Sequence, residues 1–278
     1  MTDATATLSI GLDQPNRYRL YAFKACPFAH RVRLLRLLAA EDAMEVSFAK
    51  DQNADDKMYV FDPPEPVFSA TTLKQVYQQS AAPDYSGRFS TPLVIDQTTK
   101  QMVHNESLDI AVAMAQSDNS KTLLPEGATD LAQELANITM LPYKYLMTKD
   151  ATQKQDIVDQ LEATLDKYES LLGTQPYLLG EHISLPDCIL WITLIRFDNV
   201  YGRIFGILSS SKTIQSDYPN LTKYVERIWK TPSQSSKTTL GDEIDMPELV
   251  RLYWVSPTIG ALCSHDQSLP PPPVLDLF

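Results

Sequence analysis

Three cysteines, at positions 26, 188 and 263, are all that the 278 residues contain. The number is odd and the spacing wide, so they suggest neither a disulfide framework nor a zinc cluster. The four histidines are scattered, and no metal site is expected. A reducing, cytoplasmic compartment suits such a chain. Basic residues are also short: 24 Lys and Arg stand against 35 Asp and Glu, a formal net charge of -11. That balance argues against a broad nucleic-acid or anionic-membrane surface but leaves room for a small local anion site. No run is apolar enough to cross a bilayer, and the start, Met1-Thr-Asp-Ala-Thr-Ala6, lacks a basic region followed by an apolar core. The sequence shows no internal repeat. Hydrophobic residues make up 44%, enough for one large or two modest packed domains.

The first 117 residues read as mixed α/β. Strands are expected at Tyr18 to Phe23, Met44 to Phe48, Thr91 to Asp96 and Gln101 to His104. Helices are expected at Phe28 to Ala40, Thr72 to Gln79 and Glu106 to Ala115. Between Ala49 and Thr71 lies a polar, proline-rich excursion, in which Phe61-Asp-Pro-Pro-Glu-Pro66 excludes a regular helix or central strand. The β-α-β…β-β-α order is that of a thioredoxin-like domain. Pro92 opens its strand; a cis Thr91–Pro92 bond there would leave the backbone polar groups of Thr91 pointing outward.

Cys26 lies where the first strand turns into the first helix, in Tyr21-Ala-Phe-Lys-Ala-Cys-Pro-Phe-Ala-His30. An ordinary thiol, with pKa about 8.5, is mostly protonated at neutral pH. Free backbone N–H groups at a helix start favour the thiolate, and Lys24 and His30 are close in sequence. Position alone leaves two readings open, a nucleophile or a cysteine packed under the sheet. Ala29, three residues on, is no partner thiol, so a reacting Cys26 needs a thiol from elsewhere.

Beyond Ser117-Asp-Asn-Ser-Lys-Thr122 the chain reads as mainly helix. Ile157, Leu161, Leu165, Tyr168 and Leu172 form one apolar stripe of a helix from about Thr152, with Gly173 as its stop. Ser184-Leu-Pro-Asp187 is a helix-entry signal, and the run it opens, Cys188 to Ile195, is apolar on all sides and belongs at the centre of a helical bundle. Further helices are expected at Tyr218 to Trp229 and Met246 to Tyr253, with a loop from Thr231 to Gly241. The expected fold is α/β plus all-α: a tail at 1–17, a thioredoxin-like domain at 18–117, a linker at 118–124, a helical bundle domain at 125–257 and an irregular, Pro-rich tail at 258–278.

Four ordered runs carry a family resemblance. Cys26-Pro-Phe-Ala-His-Arg31 is similar to a Cys-Pro-Trp-Ala-His-Arg motif. Tyr85-Ser-Gly-Arg-Phe-Ser-Thr-Pro-Leu-Val94 is similar to a Tyr-Ser-Gly-Arg…Val-Pro-Val segment, and His104-Asn-Glu-Ser107 to Asn-Asn-Glu-Ser. Leu194-Ile-Arg-Phe-Asp-Asn-Val-Tyr201 matches a signature in the helical half. The chain, from about Tyr18 to Pro257, resembles the glutathionyl-hydroquinone reductases, the xi class of the glutathione transferase fold. Three departures stand out. Phe28 replaces the motif's tryptophan, and Tyr59, in Tyr59-Val-Phe61, replaces a glutathione-contacting tryptophan. A C-terminal His-Tyr-Tyr run reads Leu252-Tyr253-Trp254.

The resemblance implies that Cys26 is the nucleophile, with glutathione as co-substrate and no metal. Phe28, Tyr59, Arg88, Thr91, Pro92, Glu106 and Ser107 are the implied glutathione contacts. Ser107 and nearby N–H groups suit a carboxylate and Glu106 an ammonium, although the pair also reads as a simple helix cap. Tyr201, Tyr253 and Trp254 are the implied substrate-pocket residues; the two tyrosines also read as aromatic packing. Arg196 and Asp198 read as a structural ion pair or a cap near the domain interface. The implied partners are glutathione and aromatic or quinone-derived thioethers, with neither nucleic acid nor membrane, and the implied assembly is a homodimer. The implied reaction removes glutathione from a glutathionyl-hydroquinone through a cysteine–glutathione mixed disulfide, which a second glutathione resolves. The alternatives are an omega-like thiol transferase or dehydroascorbate reductase, and a non-catalytic interaction module. A serine-type conjugating transferase is a weaker reading.

Overall fold

The computed structural model describes residues 8–53, 55, 57–117, 122–207, 213–263, 266 and 268–278. Residues 1–7 of the expected N-terminal tail and 118–121 of the expected linker lie outside these. The N-terminal half runs β1 (Tyr18–Phe23), α1 (Pro27–Ala39), β2 (Met44–Ala49), β3 (Asp51–Gln52), β4 (Tyr59–Val60), α2 (Leu73–Ser80), β5 (Leu93–Asp96), β6 (Gln101–His104) and α3 (Ser107–Ser117). The main sheet has the order β2-β1-β5-β6. β1 pairs with β2 in parallel, as a helical crossover requires, and β5 pairs antiparallel with β1 and β6. Every residue of β1 is buried. Its one charged side chain, Arg19, is satisfied by Gln97, Ser47 and Glu45.

The short β3–β4 hairpin lies inside the stretch that the sequence marks as irregular. Two residues per strand are too few to show an alternation. The segment after it is organised by buried Glu65, whose carboxylate accepts from the Tyr21 hydroxyl at 2.7 Å and from the backbone N–H groups of Val67, Phe68 and Ala70. The Asp62–Pro63 and Thr91–Pro92 bonds are both cis.

The second half is helical: α4 (Ala128–Met147), α5 (Ala151–Leu172), α6 (Leu185–Arg196), α7 (Ile214–Asp217), α8 (Pro219–Trp229) and α9 (Met246–Val255). A π-helical turn, Phe197–Gly202, continues α6. The sheet-plus-helices half followed by a helical bundle is the thioredoxin-like and helical arrangement expected from the sequence. No described helix is long and apolar enough to cross a membrane.

Every residue of α6 is buried, and it packs against α1, α4 and α8. Its start is tied down by Asp187. The carboxylate accepts from Ser184 N (2.9 Å), Ser184 Oγ (2.6 Å), Leu178 N (2.9 Å) and the Tyr224 hydroxyl (2.9 Å). The α5 stripe is buried from Ile157 to Leu172 as its spacing predicts. Gly173 ends that helix at φ -73. Its use is therefore close approach: a Cβ there would stand 3.0 Å from Asn220 Nδ2.

Asp187→Ala would remove the carboxylate acceptor of four buried donors on three residues, of which only the Tyr224 hydroxyl has a second acceptor, the Asp187 carbonyl. An unsatisfied buried group costs about 1–3 kcal/mol, so the expected loss is at least about 3 kcal/mol in urea unfolding. A loss under about 1 kcal/mol would show that α6 is not anchored through this carboxylate.

Candidate active site

Cys26 is the N-cap of α1, in extended backbone at φ -66 and ψ 115, with Pro27 in the first turn. Its sulfur accepts from Ala29 N at 3.5 Å, and its S–H points at the Thr91 carbonyl, 3.4 Å away. Cys26 is half-buried, whereas Cys188 is fully enclosed in α6. Burial and then the neighbouring Asp187 push the Cys188 thiol up, and burial pushes Cys263 up to about 11.

Two hollows that share lining residues lie in this region, and Cys26 lines one of them. One, of about 270 Å³, is lined by Cys26, Phe28, Tyr59, Tyr143, Leu252 and Tyr253 among others. The second, of about 590 Å³, is lined by Thr91, Pro92, Asn105, Glu106 and Ser107 among others. Phe28, Arg88, Ser90 and Thr91 border both. All seven residues expected to contact glutathione thus border one or both hollows. Asn105 is pinned by its amide to the Tyr77 and Tyr85 hydroxyls at 3.1 and 2.9 Å. That fixes the chain just before Glu106 and Ser107.

The three residues expected in the substrate pocket separate. Tyr253 lines the smaller cleft. Tyr201 is fully buried, with its hydroxyl in no hydrogen bond and its ring against Tyr143 and Phe205. Trp254 donates its indole N–H to the Leu269 carbonyl in the C-terminal tail. Tyr143 takes a place on the wall that no sequence motif announces. Its only trace is helical spacing: it follows Thr139 by four residues, and Thr139 faces α6, 3.1 Å from Thr193 Oγ1.

Arg196 and Asp198 do not pair. Asp198 caps α7 by accepting from Ile214 N at 2.8 Å, so only the capping half of that expectation holds. Arg196 is fully buried and turns the other way. It donates to His30 Nδ1 at 3.2 Å, to the Ile192 carbonyl at 2.8 Å and to the Ala25 carbonyl at 3.3 Å. The same Ala25 carbonyl accepts the Tyr253 hydroxyl at 2.9 Å. A second buried guanidinium, Arg31, stands 5.4 Å from the Phe28 ring centroid, with Nε and Nη2 in no hydrogen bond. Burial lowers it to about 10, opposed by Cys26 and Tyr201. Burial raises the phenols of Tyr143, Tyr201 and Tyr253, so all three keep their protons at neutral pH.

A family model for the glutathione S-transferase C-terminal domain matches residues 150–227. The glutathionyl-hydroquinone reductase PcpF of Sphingobium chlorophenolicum is 30% identical over 231 residues, which cover 77% of this chain and 72% of that protein. The chain belongs to the glutathionyl-hydroquinone reductase family, the xi-class glutathione transferases. A structure of another xi-class relative, Escherichia coli YqjG with glutathione bound, superposes with a TM-score of 0.77 at 25% identity, over 95% of this chain and 87% of that one. The omega-like glutathione S-transferase 2 of Schizosaccharomyces pombe is 26% identical, over 79% of this chain and 76% of that protein.

His30 gives this xi-class interface a pH dependence. Burial, then Arg33 and Arg196, hold it well below its ordinary 6.5, so it stays neutral when folded. The unfolded chain takes up this proton near pH 6.5 and the folded chain does not. Stability is therefore full above pH 6.5 and is lost as pH falls, by up to about 1.4 kcal/mol per pH unit. Between pH 7 and 5 the wild type is expected to lose about 2 kcal/mol more than His30→Asn in denaturant unfolding. Parallel losses would contradict a neutral, buried His30.

Proposed function

We propose that this protein removes glutathione from glutathionyl-hydroquinones, with Cys26 as the nucleophile. The supporting observation is that half-buried Cys26 lines the smaller hollow, with its sulfur 3.4 Å from the carbonyl oxygen of Thr91, a residue that borders both hollows. The glutathionyl part of the substrate occupies the larger hollow. Its cysteinyl backbone lies along Thr91, its γ-glutamyl carboxylate at Ser107 and the N-terminus of α3, and its ammonium at Glu106. The hydroquinone ring occupies the smaller, aromatic cleft.

The Cys26 thiolate attacks the thioether sulfur and forms a disulfide with the glutathionyl group. The carbon–sulfur bond breaks, and its electron pair goes to the ring carbon, which takes up a proton. Tyr143 and Tyr253 are proton-bearing groups on that wall. A second glutathione thiolate then attacks the glutathionyl sulfur, Cys26 leaves as thiolate, and oxidised glutathione departs. The sum is one thioether and one glutathione converted to one hydroquinone and one glutathione disulfide. The ring is reduced, and the two glutathione sulfurs are oxidised.

The second reading is an omega-like thiol transferase. It is favoured by Leu252, an apolar residue on the cleft wall where the resemblance leads one to expect histidine. Both readings use the same cysteine and the same glutathione site, so turnover of a glutathionyl-hydroquinone against hydroxyethyl disulfide separates them.

Incubation with a glutathionyl-hydroquinone is expected to add one glutathione to Cys26, seen by peptide mass and removed by free glutathione. Cys26→Ser is expected to lower turnover at least about a thousandfold. Adducts confined to Cys188 or Cys263, or full activity in the serine variant, would refute the mechanism.

A further inference from the structure

We propose that Tyr59 is the general acid of the reaction, its hydroxyl delivering the proton that the departing ring carbon takes up. The role rests on the reaction proposed above. Among the described residues that line the smaller hollow, three are phenols: Tyr59, Tyr143 and Tyr253. The Ala25 carbonyl can only accept, and it accepts the Tyr253 hydroxyl at 2.9 Å. A phenol has one proton, and the Tyr143 and Tyr253 oxygens are 2.6 Å apart, so the proton between them is that of Tyr143. Both protons are committed inside the wall. Beside Tyr59 lies the Thr91 hydroxyl, buried and otherwise unpartnered. It acts in the direction that favours the phenolate, as a donor does, and so leaves the Tyr59 proton free for the cleft.

Tyr59 also stands beside the reacting sulfur. It belongs to β4, and its ring lies against Phe23 with centroids 5.0 Å apart. Phe23 ends β1, and its carbonyl accepts from Cys26 N at 3.0 Å. Thr91 adjoins both groups, with its carbonyl 3.4 Å from Cys26 Sγ and its side chain at the phenol. Burial and then Cys26 raise the phenol, so it carries its proton at rest.

As the carbon–sulfur bond breaks, its electron pair goes to the ring carbon. That carbon takes the Tyr59 proton, and a phenolate remains. The thiol of the second glutathione gives its proton to the phenolate and becomes the thiolate that attacks the mixed disulfide. Tyr59 ends the cycle as it began, and the overall stoichiometry is unchanged. The resemblance leads one to expect tryptophan at this position. An indole N–H donates a hydrogen bond but does not release its proton, so the acid is particular to a chain with a phenol here.

Two leaving groups test the role. Without free glutathione, Cys26 is loaded either from a glutathionyl-hydroquinone or from the mixed disulfide of glutathione with nitrothiobenzoate, and the adduct is timed by mass. Nitrothiobenzoate leaves as a thiolate and needs no proton. A lost glutathione contact slows both loadings alike, so the readout is the ratio of the thioether rate to the disulfide rate. In Tyr59→Phe that ratio is expected to fall about a hundredfold. Tyr59→Trp restores aromatic bulk without an acid, and its ratio is expected to fall as far. A fall of less than about tenfold in Tyr59→Phe, or recovery of the ratio in Tyr59→Trp, would overturn the acid role and leave the adduct chemistry above standing. A wild type that the thioether does not load would overturn that chemistry, and the role of Tyr59 with it.

Discussion

The buried guanidinium of Arg196 is the constraint on which the cleft depends. It sits at the end of a wholly buried helix, α6, and reaches across to the half of the molecule that carries the thiol. Burying an ion costs several kcal/mol unless hydrogen bonds and nearby dipoles replace its water. Here the replacements come from His30, Ile192, Ala25 and the surrounding phenols. Ala25 immediately precedes Cys26. Its carbonyl is gripped by Arg196 and by Tyr253 from α9. The thiol is therefore positioned by the helical half as well as by its own helix cap.

The same arrangement gives the cleft its electrical character. Among the described residues that line the smaller hollow none carries a carboxylate, although the chain has a formal charge of -11. Its wall combines neutral phenols with Arg88, and the guanidinium groups of Arg31 and Arg196 lie buried nearby. Glu106 borders the larger hollow, and its carboxylate suits an ammonium.

Much of this was legible in the sequence because local rules and tertiary context agree. The Ser184-Leu-Pro-Asp187 entry to α6, the α5 stripe and the cysteine at a strand-to-helix turn all follow from spacing and capping chemistry. The proline-rich excursion hid the β3–β4 hairpin, since strands of two residues leave no periodicity. Pro142 removes a backbone donor from the middle of α4, yet the helix runs through it and carries Tyr143 to the cleft. Tyr143 was invisible because nothing local distinguishes a tyrosine that faces a cavity from one that packs in a bundle. Tyr201 shows the converse. Its family-like run is intact, but its ring lies one layer behind the wall, and the π-helical turn that holds it there has no sequence signal.

The most direct measurement is a crystal structure of the protein after exposure to glutathione disulfide. The account predicts continuous density from Cys26 Sγ to a glutathione sulfur, with the peptide running past Thr91 toward Ser107 and the aromatic cleft left open. Density for glutathione elsewhere, or an unmodified Cys26 with an empty groove, would contradict it.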